Sequence, residues 1–380
     1  MLRTALTYLI NDPEARRHTI VGLLPTVIVP LTISMLGVIG SILVSQQYKI
    51  MARPTARGSH TVPTPRLGGV GAAIGFYAAA LLISPWIPVA PSAWYTALLV
   101  GGCWALVGGV LDDVFELPPR WKTLVQLAAA FSPIALGYWP STLALPLFKT
   151  LTFGFVAGSI LLFLFVMLMM NAVNFMDGMD GHAALFGIVT AATIGLFLFW
   201  YGFWYRALEY GTAIALASCV LGLLLFNYPG RPLDSKTFMG DGGSQFIGFA
   251  LAILSLRAAE GAHPARFPLI ASLILYSPFI FDVAYTMLLR FRRGEDLRHA
   301  HREHLYQRLM VAGWSHGKTL MFNLGLWLIM AAIAFAYARA AMTGRGEAQL
   351  LLLVLTGVVL FGYTQAVGQI EREQARSRTT

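Results

Sequence analysis

Residues 160–170 read ILLFLFVMLMM, and residues 171–181, which follow at once, read NAVNFMDGMDG. The uninterrupted apolar run is typical of a membrane-spanning helix, and the carboxylates and amides that follow mark its end. A charged side chain at the centre of a membrane helix costs about 2.5 to 3.5 kcal/mol, so carboxylates at a membrane edge are usually kept for ions or substrates. The sequence therefore predicts a membrane helix with a chemical site at its end.

The composition of the whole chain agrees with a membrane protein. Hydrophobic residues make up 57% of the 380 residues, charged residues make up 12%, and the mean hydropathy is +0.66. These values lie far outside those of a soluble globular domain. We predict an all-α fold, a polytopic membrane helix bundle of about 10 to 11 transmembrane helices. The apolar segments lie at 19–45, 68–83, 94–111, 122–139, 151–170, 183–202, 211–227, 244–258, 268–289, 319–340 and 348–368.

The distribution of Lys and Arg orients this bundle. With the N-terminus outside, the loops and tail on the inner side carry about 18 of the 27 basic residues, and the loop 290–318 is the most basic of them. Residues 1–380 form one predicted integral membrane domain, because no soluble domain can be separated. Its parts are a first span at 19–45, a motif-bearing catalytic region at 60–318, the last two spans at 319–368 and a cytoplasmic tail at 369–380.

Two common interpretations of this composition are excluded. A sequence pI near 9.7 can indicate nucleic-acid binding, but here the basic residues are split among short loops and no aromatic-interleaved basic patch exists. We therefore attribute the net charge of +9 to basic loop residues at the membrane surface. Cys103 and Cys219 lie inside apolar spans, so they are packing residues that imply no disulfide framework.

Five polar clusters fall on the same predicted face of the membrane, whereas the opposite loops offer little beyond Glu209, Glu260 and His263. This distribution predicts one active site built from cytoplasmic loops. The clusters are residues 63–69, Asp112-Asp113 with Lys122, residues 171–181, residues 240–244 and residues 299–308.

Asp112 and Asp113 close an apolar helix. Paired carboxylates either share a cation or raise one of the two pKa values, although a solvated helix end is the alternative. At the C-terminal end of a helix they oppose the helix dipole, which favours a cation nearby. Lys122, with Arg120 close by, is a candidate phosphate clamp or, alternatively, an anchor at the membrane interface.

Asn174, Asp177 and Asp180 are spaced three residues apart, so one or two helical turns would place them on a similar face. Their oxygen atoms suit magnesium or manganese, although a polar loop that merely ends a helix is the alternative. The sequence GDGGS at 240–244 precedes an apolar helix and could present backbone N–H groups to a phosphate, or simply cap that helix.

The stretch from His299 to Arg308 mixes imidazole and guanidinium groups. His301 and His304 could ligate a metal, but the neighbouring arginines, among them Arg302, favour an anion such as a diphosphate. A solvated basic loop is the alternative. Ligands for magnesium, basic groups for phosphates and a membrane setting together indicate phosphoryl transfer to or from a lipid.

The motifs, in this order, resemble the polyprenyl-phosphate N-acetylhexosamine-1-phosphate transferase family over roughly residues 60–318. The resemblance implies transfer of N-acetylhexosamine 1-phosphate from a UDP-sugar to undecaprenyl phosphate, with UMP released and magnesium or manganese neutralising the diphosphate. The matching sequences are PRLGGVG at 65–71, LDD at 111–113, NAVNFMDGMDG at 171–181, GDGGS at 240–244 and HREHLYQRL at 301–309.

The same resemblance assigns roles to residues. It implies that Asn174 and Asp241 are metal ligands and that Asp112, Asp113 and Asp241 form the catalytic set. A general base is not required, because a phosphate monoester is mostly dianionic at pH 7, so Asp112 either acts as base, positions the acceptor or holds a second cation. The implied substrate-binding residues are Lys122, Asn171, Asp177, Asp180, Gly240, His301, Arg302, His304 and Arg308.

The chain departs from the family in its last cytoplasmic loop, where many glycan-initiating members have His-x-His-His-Arg-Leu. Tyr306 and Gln307 replace two of those histidines, and this form resembles members that initiate O-antigen or capsule-like glycans on an amino sugar or 6-deoxy amino sugar. The alternatives are a phospho-N-acetylmuramoyl-pentapeptide transferase of cell-wall synthesis and a non-enzymatic transporter of an anionic lipid or nucleotide. A transporter, however, should place ionisable groups near the bilayer midplane.

The expected setting is the bacterial inner membrane, with the active site and the C-terminus on the cytoplasmic side. The expected partners are undecaprenyl phosphate, a UDP-N-acetylhexosamine and membrane lipids, with no nucleic acid. The sequence leaves a homodimer open.

Overall fold

A computed structural model describes residues 13–52, 62–83, 92–144, 150–202, 205–229, 236–260, 265–296 and 302–377. In these ranges the chain forms twelve helices and two short antiparallel strand pairs, which confirms the predicted all-α fold. The helices are α1 (Pro13–Gln47), α2 (Gly68–Ile83), α3 (Ala93–Phe115), α4 (Pro119–Ala135), α5 (Phe155–Phe175), α6 (His182–Gly202), α7 (Ala207–Asn227), α8 (Gly240–Ala259), α9 (Leu269–Arg292), α10 (Leu305–Val311), α11 (His316–Met342) and α12 (Gly346–Ser377). The pairs are β1 (Met51–Ala52) with β2 (Thr64–Pro65) and β3 (Thr142–Leu143) with β4 (Leu151–Thr152).

Each apolar segment predicted from hydropathy corresponds to a helix. Across the described ranges, nine helices are long and apolar enough to cross a membrane, and the exceptions among the predicted segments are α2 and α4. These two contain 16 and 17 residues. At 1.5 Å per residue they reach about 25 Å, which is less than the roughly 30 Å of a hydrocarbon core. The chain is therefore a multi-pass membrane protein in which two helices are shorter than a full span.

Helix α8 lies at the centre of the bundle. It packs against α2, α3, α5 and α6, and its side chains from Gly242 to Leu256 are all buried. A helix that is apolar all round is stable only where other helices cover it on every side. Its N-terminus carries the GDGGS sequence, so this position delivers the motif to the middle of one end of the bundle.

The basic loop 290–318 contains a helix that hydropathy did not predict. The short helix α10 begins with a capping box between His304 and Gln307. The backbone N–H of Leu305 also donates to the buried Asp282 on α9, over 2.9 Å. The predicted tail is helical as far as Ser377, where α12 ends.

A buried ionic network closes the end of the bundle opposite the GDGGS motif. Arg206 donates from its guanidinium to the carbonyls of Arg257 and Glu260, both over 2.7 Å, and lies 3.5 Å from Glu209. These two carbonyls belong to the C-terminal end of α8, which leaves such groups without partners inside the helix. Arg206 therefore caps the central helix with a charge that its dipole favours.

We predict that Arg206→Met lowers the melting temperature of the purified protein without changing the chemistry at the other end. Removing one partner of a buried ion pair typically costs about 3 to 5 kcal/mol, because the remaining charge is left buried. Thermal unfolding in detergent measures the effect. Arg345→Met, which removes an exposed arginine, is the matched control. Equal melting temperatures for the two variants would contradict the capping role.

Candidate active site

Four predicted site residues meet where the ends of α3 and α5 approach the beginnings of α4 and α8. Asp112 lies in the last turn of α3, Lys122 in the first turn of α4, Asn174 in the last turn of α5 and Asp241 in the first turn of α8. The ammonium of Lys122 contacts Asp112 and lies 3.9 Å from Asp241, and Asn174 donates to Asp241 over 2.9 Å. Residues separated by as many as 129 positions therefore form one cluster, as the one-sided distribution of polar residues predicted.

Asp113 joins two helices at this cluster. It lies at the C-terminal end of α3, but its Oδ2 accepts the backbone N–H of Gly242 in the first turn of α8, over 3.1 Å. A carboxylate is unfavourable at the C-terminal end of α3 and favourable at the N-terminal end of α8, because of the helix dipoles. Gly240 precedes this turn with φ of +75°, and a Cβ there would lie 2.6 Å from Asp113 Oδ2. The turn therefore requires glycine at position 240, both for its backbone conformation and for space.

The environment of Asp112 explains how a carboxylate is kept at the end of a membrane helix. Its Oδ1 accepts the backbone N–H of Leu117 over 2.9 Å, and its Oδ2 faces the Lys122 ammonium. The sequence predicted a cation near the acidic pair, and the Lys122 ammonium is one such cation. Lys122 is about two-fifths exposed, so its ammonium is also accessible to a ligand.

Asn174 lies just before the loop 176–181, the acidic loop, and links it to the first turn of α8. Its side-chain amide donates to Asp241 Oδ1 over 2.9 Å and to Ser244 Oγ over 3.0 Å. The two predicted metal ligands are therefore neighbours. In the part of the chain that the structure describes, no group of three or more His, Cys, Asp or Glu side chains is arranged to enclose a metal ion.

Asp177 and Asp180 lie on the loop between α5 and α6. Burial, followed by the charges of Asp241, Asp113 and Asp180, raises the pKa of Asp177 well above its ordinary value. Asp180 Oδ2 lies 3.6 Å from Nδ1 of His316, the first residue of α11. The loop therefore adds two carboxyl groups to a site that already holds those of α3 and α8.

The sequence suggests that the basic residues of the last loop bind phosphate, but in the structure two of them contact carboxylates of the protein. Arg308 forms a bidentate ion pair with Glu371 on α12, over 2.8 Å at its Nε. His304 is almost fully buried and lies 3.1 Å from Asp282. Arg302 is exposed, and the predicted residue His301 lies outside the described residues.

Asn171 is also directed away from the cluster. Its Nδ2 donates to the carbonyl of Met167 within α5 over 2.8 Å, and its Oδ1 faces Gln126 of α4 at 3.4 Å. In this structure Asn171 connects α5 with α4.

The predicted site residues did not include Asp282, His182 or His316. A lone carboxylate in an apolar span is a signal that could have indicated Asp282, because such residues are rarely kept without a partner. His182 follows the acidic loop directly, and its Nδ1 lies 2.9 Å from the Met176 carbonyl. No sequence pattern marks His316, which reaches Asp180 only through the fold.

The fold and the site define a polytopic membrane protein with a predominantly acidic site at one end of its helix bundle. A family model described as glycosyl transferase family 4 matches residues 95–259, which run from α3 to the end of α8.

Three relatives extend the match over most of the chain. The decaprenyl-phosphate N-acetylglucosaminephosphotransferase of Mycobacterium tuberculosis is 30% identical over 334 residues, which cover 81% of this chain and 80% of the relative. A probable undecaprenyl-phosphate N-acetylglucosaminyl 1-phosphate transferase of Bacillus subtilis is 26% identical over 84% of this chain and 83% of its own length. The phospho-N-acetylmuramoyl-pentapeptide-transferase of a Synechococcus species is 29% identical over 84% of this chain and 94% of its own length. The chain belongs to glycosyl transferase family 4 and is an enzyme.

The raised pKa of Asp177 leads to a prediction about stability. A carboxyl group with a raised pKa stabilises the fold fully below its unfolded-state pKa, near 3.9, and that contribution is lost as the pH rises toward the folded-state pKa. Asp177→Asn should therefore raise the melting temperature at pH 7 to 8 in detergent with EDTA, and reduce its decline above pH 5. Glu347→Gln, an exposed carboxylate at the other end of the bundle, is the control. A pH dependence identical to that of the wild type would contradict the prediction.

Proposed function

We propose that this protein transfers N-acetylhexosamine 1-phosphate from a UDP-linked sugar to undecaprenyl phosphate, on the cytoplasmic side of the bacterial inner membrane. The products are undecaprenyl-diphosphate-sugar and UMP. The convergence of Asp112, Asp113 and Asp241 with Lys122 carries the proposal, since carboxylates that suit a metal ion and an ammonium that suits a phosphate meet at one end of the bundle. Relatives named as polyprenyl-phosphate N-acetylglucosamine-phosphate transferases support it.

In the proposed reaction, an oxygen of the lipid phosphate attacks the phosphorus next to the sugar. A new P–O bond forms, the P–O bond to the UMP phosphate breaks, and UMP leaves with both electrons of that bond. The attacking phosphate is mostly dianionic at pH 7, so no proton has to be removed from it. Asp112 then orients Lys122, whose ammonium neutralises and positions phosphate oxygens.

The residues at the site fit a divalent metal ion, magnesium or manganese. Mg²⁺ is commonly held by one or two carboxylates together with substrate phosphates, and a complete protein cage is not needed. Asp241 and Asn174, adjacent at the start of α8 and the end of α5, are the proposed ligands. When bound, such an ion neutralises the charge of the diphosphate.

The acceptor side of the site is apolar. Phe115, Trp121 and Leu124 are at least half exposed where α3 ends and α4 begins, next to Lys122. Exposed apolar side chains beside a phosphate-binding lysine suit a long isoprenoid chain that approaches from the membrane with its phosphate at the interface. The short helix α4 would then border the entry of the lipid.

We further propose that the product initiates a surface glycan such as O-antigen, rather than a cell-wall precursor. Tyr306 and Gln307, which replace histidines of the family pattern, both lie against the acidic loop and so bear on the donor. The transporter alternative is less well supported, because the acidic residues meet at one end of the bundle and not at its middle.

UMP release by the purified protein in detergent with undecaprenyl phosphate tests the proposal. The donor panel should contain UDP-N-acetylglucosamine, UDP-N-acetylgalactosamine, 6-deoxy amino sugars and UDP-N-acetylmuramoyl-pentapeptide. We expect lipid- and magnesium-dependent release with an amino-sugar donor, and a loss of at least about 100-fold in Asp241→Asn, whose melting temperature should stay close to that of the wild type. Glu347→Gln is the control. Undiminished release by Asp241→Asn would refute the metal assignment, and release from the pentapeptide donor alone would favour the cell-wall alternative.

A second prediction concerns Lys122. Lys122→Ala should lower kcat or raise the donor KM by about 10- to 100-fold, because a charge-assisted contact to phosphate contributes roughly 1.5 to 3 kcal/mol. Steady-state kinetics measure the change. Arg345→Ala removes an exposed positive charge at the other end of the bundle and should leave both constants unaltered. Equal effects of the two substitutions would contradict a site at one end.

A further inference from the structure

Tyr306 occupies a position for which the proposed reaction gives no role. The residue belongs to α10, and its side chain is completely buried. Its ring is stacked on His182, with centroids 4.3 Å apart and an interplanar angle of 24°. The ring of His304 is stacked near it as well, with a centroid distance of 6.1 Å and an angle of 13°. The tyrosine therefore has little freedom to turn.

Its hydroxyl reaches the acidic loop. A Cβ built on Gly178 would lie 2.3 Å from the hydroxyl oxygen of Tyr306 and 3.2 Å from Nε2 of Gln307. Burial, followed by the charges of Asp282 and Asp177, raises the pKa of Tyr306 above its ordinary value, so the hydroxyl stays protonated. A neutral O–H group thus supports the loop beside Asp177, and only glycine at position 178 leaves room for it.

The two flanking rings are themselves held in place. His182 Nδ1 lies 2.9 Å from the Met176 carbonyl, and its Nε2 lies 3.3 Å from the side-chain amide of Asn323. His304 Nδ1 lies 3.1 Å from Oδ1 of the buried Asp282. Residues of α6, α9 and α11 therefore help to hold the two rings between which the Tyr306 ring lies.

We propose that Tyr306 is a positioning residue that holds the Asp177-Gly178 turn in the geometry that receives the nucleotide diphosphate of the donor. The inference rests on the proposed function, because it takes this loop to be the donor-binding loop. Tyr306 acts through Gly178 and does not itself contact the reacting atoms. The acceptor is expected to bind beside Lys122 on α4, so its affinity is independent of Tyr306.

Tyr306→Phe tests the role of the hydroxyl, because it keeps the stacked ring. Tyr337→Phe is the matched control, since Tyr337 is equally buried but lies about 32 Å further along α11 than His316. We expect Tyr306→Phe to raise the donor KM and the Kd of UDP with magnesium about five- to tenfold, because it removes the hydroxyl oxygen that packs against Gly178 and leaves the turn free to shift. The KM for undecaprenyl phosphate and the melting temperature should match those of Tyr337→Phe.

A reciprocal pair of variants separates positioning from general packing. Gly178→Ala should weaken UDP binding, because its Cβ meets the tyrosine hydroxyl. Combining it with Tyr306→Phe removes the clashing oxygen, so the double variant should bind UDP more tightly than Gly178→Ala alone. Additive losses in the double variant would overturn the proposal.

The outcomes distinguish this inference from the proposed function. If the wild type neither binds UDP nor releases UMP from any donor, the proposed function fails, and the inference fails with it. If the wild type is active and Tyr306→Phe behaves like Tyr337→Phe, only the positioning role is overturned. It is overturned equally if Tyr306→Phe lowers the melting temperature and raises the KM values of donor and acceptor together.

Discussion

The contact between the Asp113 carboxylate and the first turn of α8 is the interaction on which the site depends. Taken alone, Asp113 is placed badly, because it lies at the negative end of the α3 dipole. The N-terminus of α8 reverses that penalty by offering backbone N–H groups and the positive end of a second dipole. The pairing fixes the register of α3 against the central helix. Asp112 precedes Asp113 by one residue, and Asp241 precedes Gly242 by one residue. The contact between Asp113 and Gly242 therefore brings Asp112 and Asp241 together.

The cluster holds more carboxyl groups than cationic groups. Asp112, Asp113, Asp177 and Asp241 lie together, and the Lys122 ammonium contacts Asp112 and lies 3.9 Å from Asp241. Such a site would repel a diphosphate by itself, because like charges interact strongly where little water is present. A divalent cation resolves this conflict, since it is attracted by the carboxylates and in turn attracts the phosphates. The acidic character of the site is therefore itself an argument for the metal proposed above.

Hydropathy and residue type were sufficient to predict the membrane bundle and the end at which Asp112, Lys122, Asn174 and Asp241 meet. Both depend on local properties, namely apolar runs of spanning length and polar residues at their ends. The contacts of Asn171 and Arg308 could not be predicted, because they depend on the tertiary positions of α4 and α12. The helix α10 was missed for a similar reason, since seven residues are too few for a periodic pattern, and its start is fixed by Asp282 from another helix.

The contacts of α10 also explain why a basic sequence need not be a phosphate-binding surface. Arg308 is paired with Glu371, and the His304 imidazole just before α10 contacts Asp282, so both groups are engaged by carboxylates inside the protein. These pairs attach α10 to α9 and α12 and thereby fix which of its residues faces the acidic loop. That residue is Tyr306, whose hydroxyl lies against Gly178 of the loop. The ion pair of Arg308 with Glu371 and the contact of His304 with Asp282 thus hold α10 in the position that brings Tyr306 to the loop.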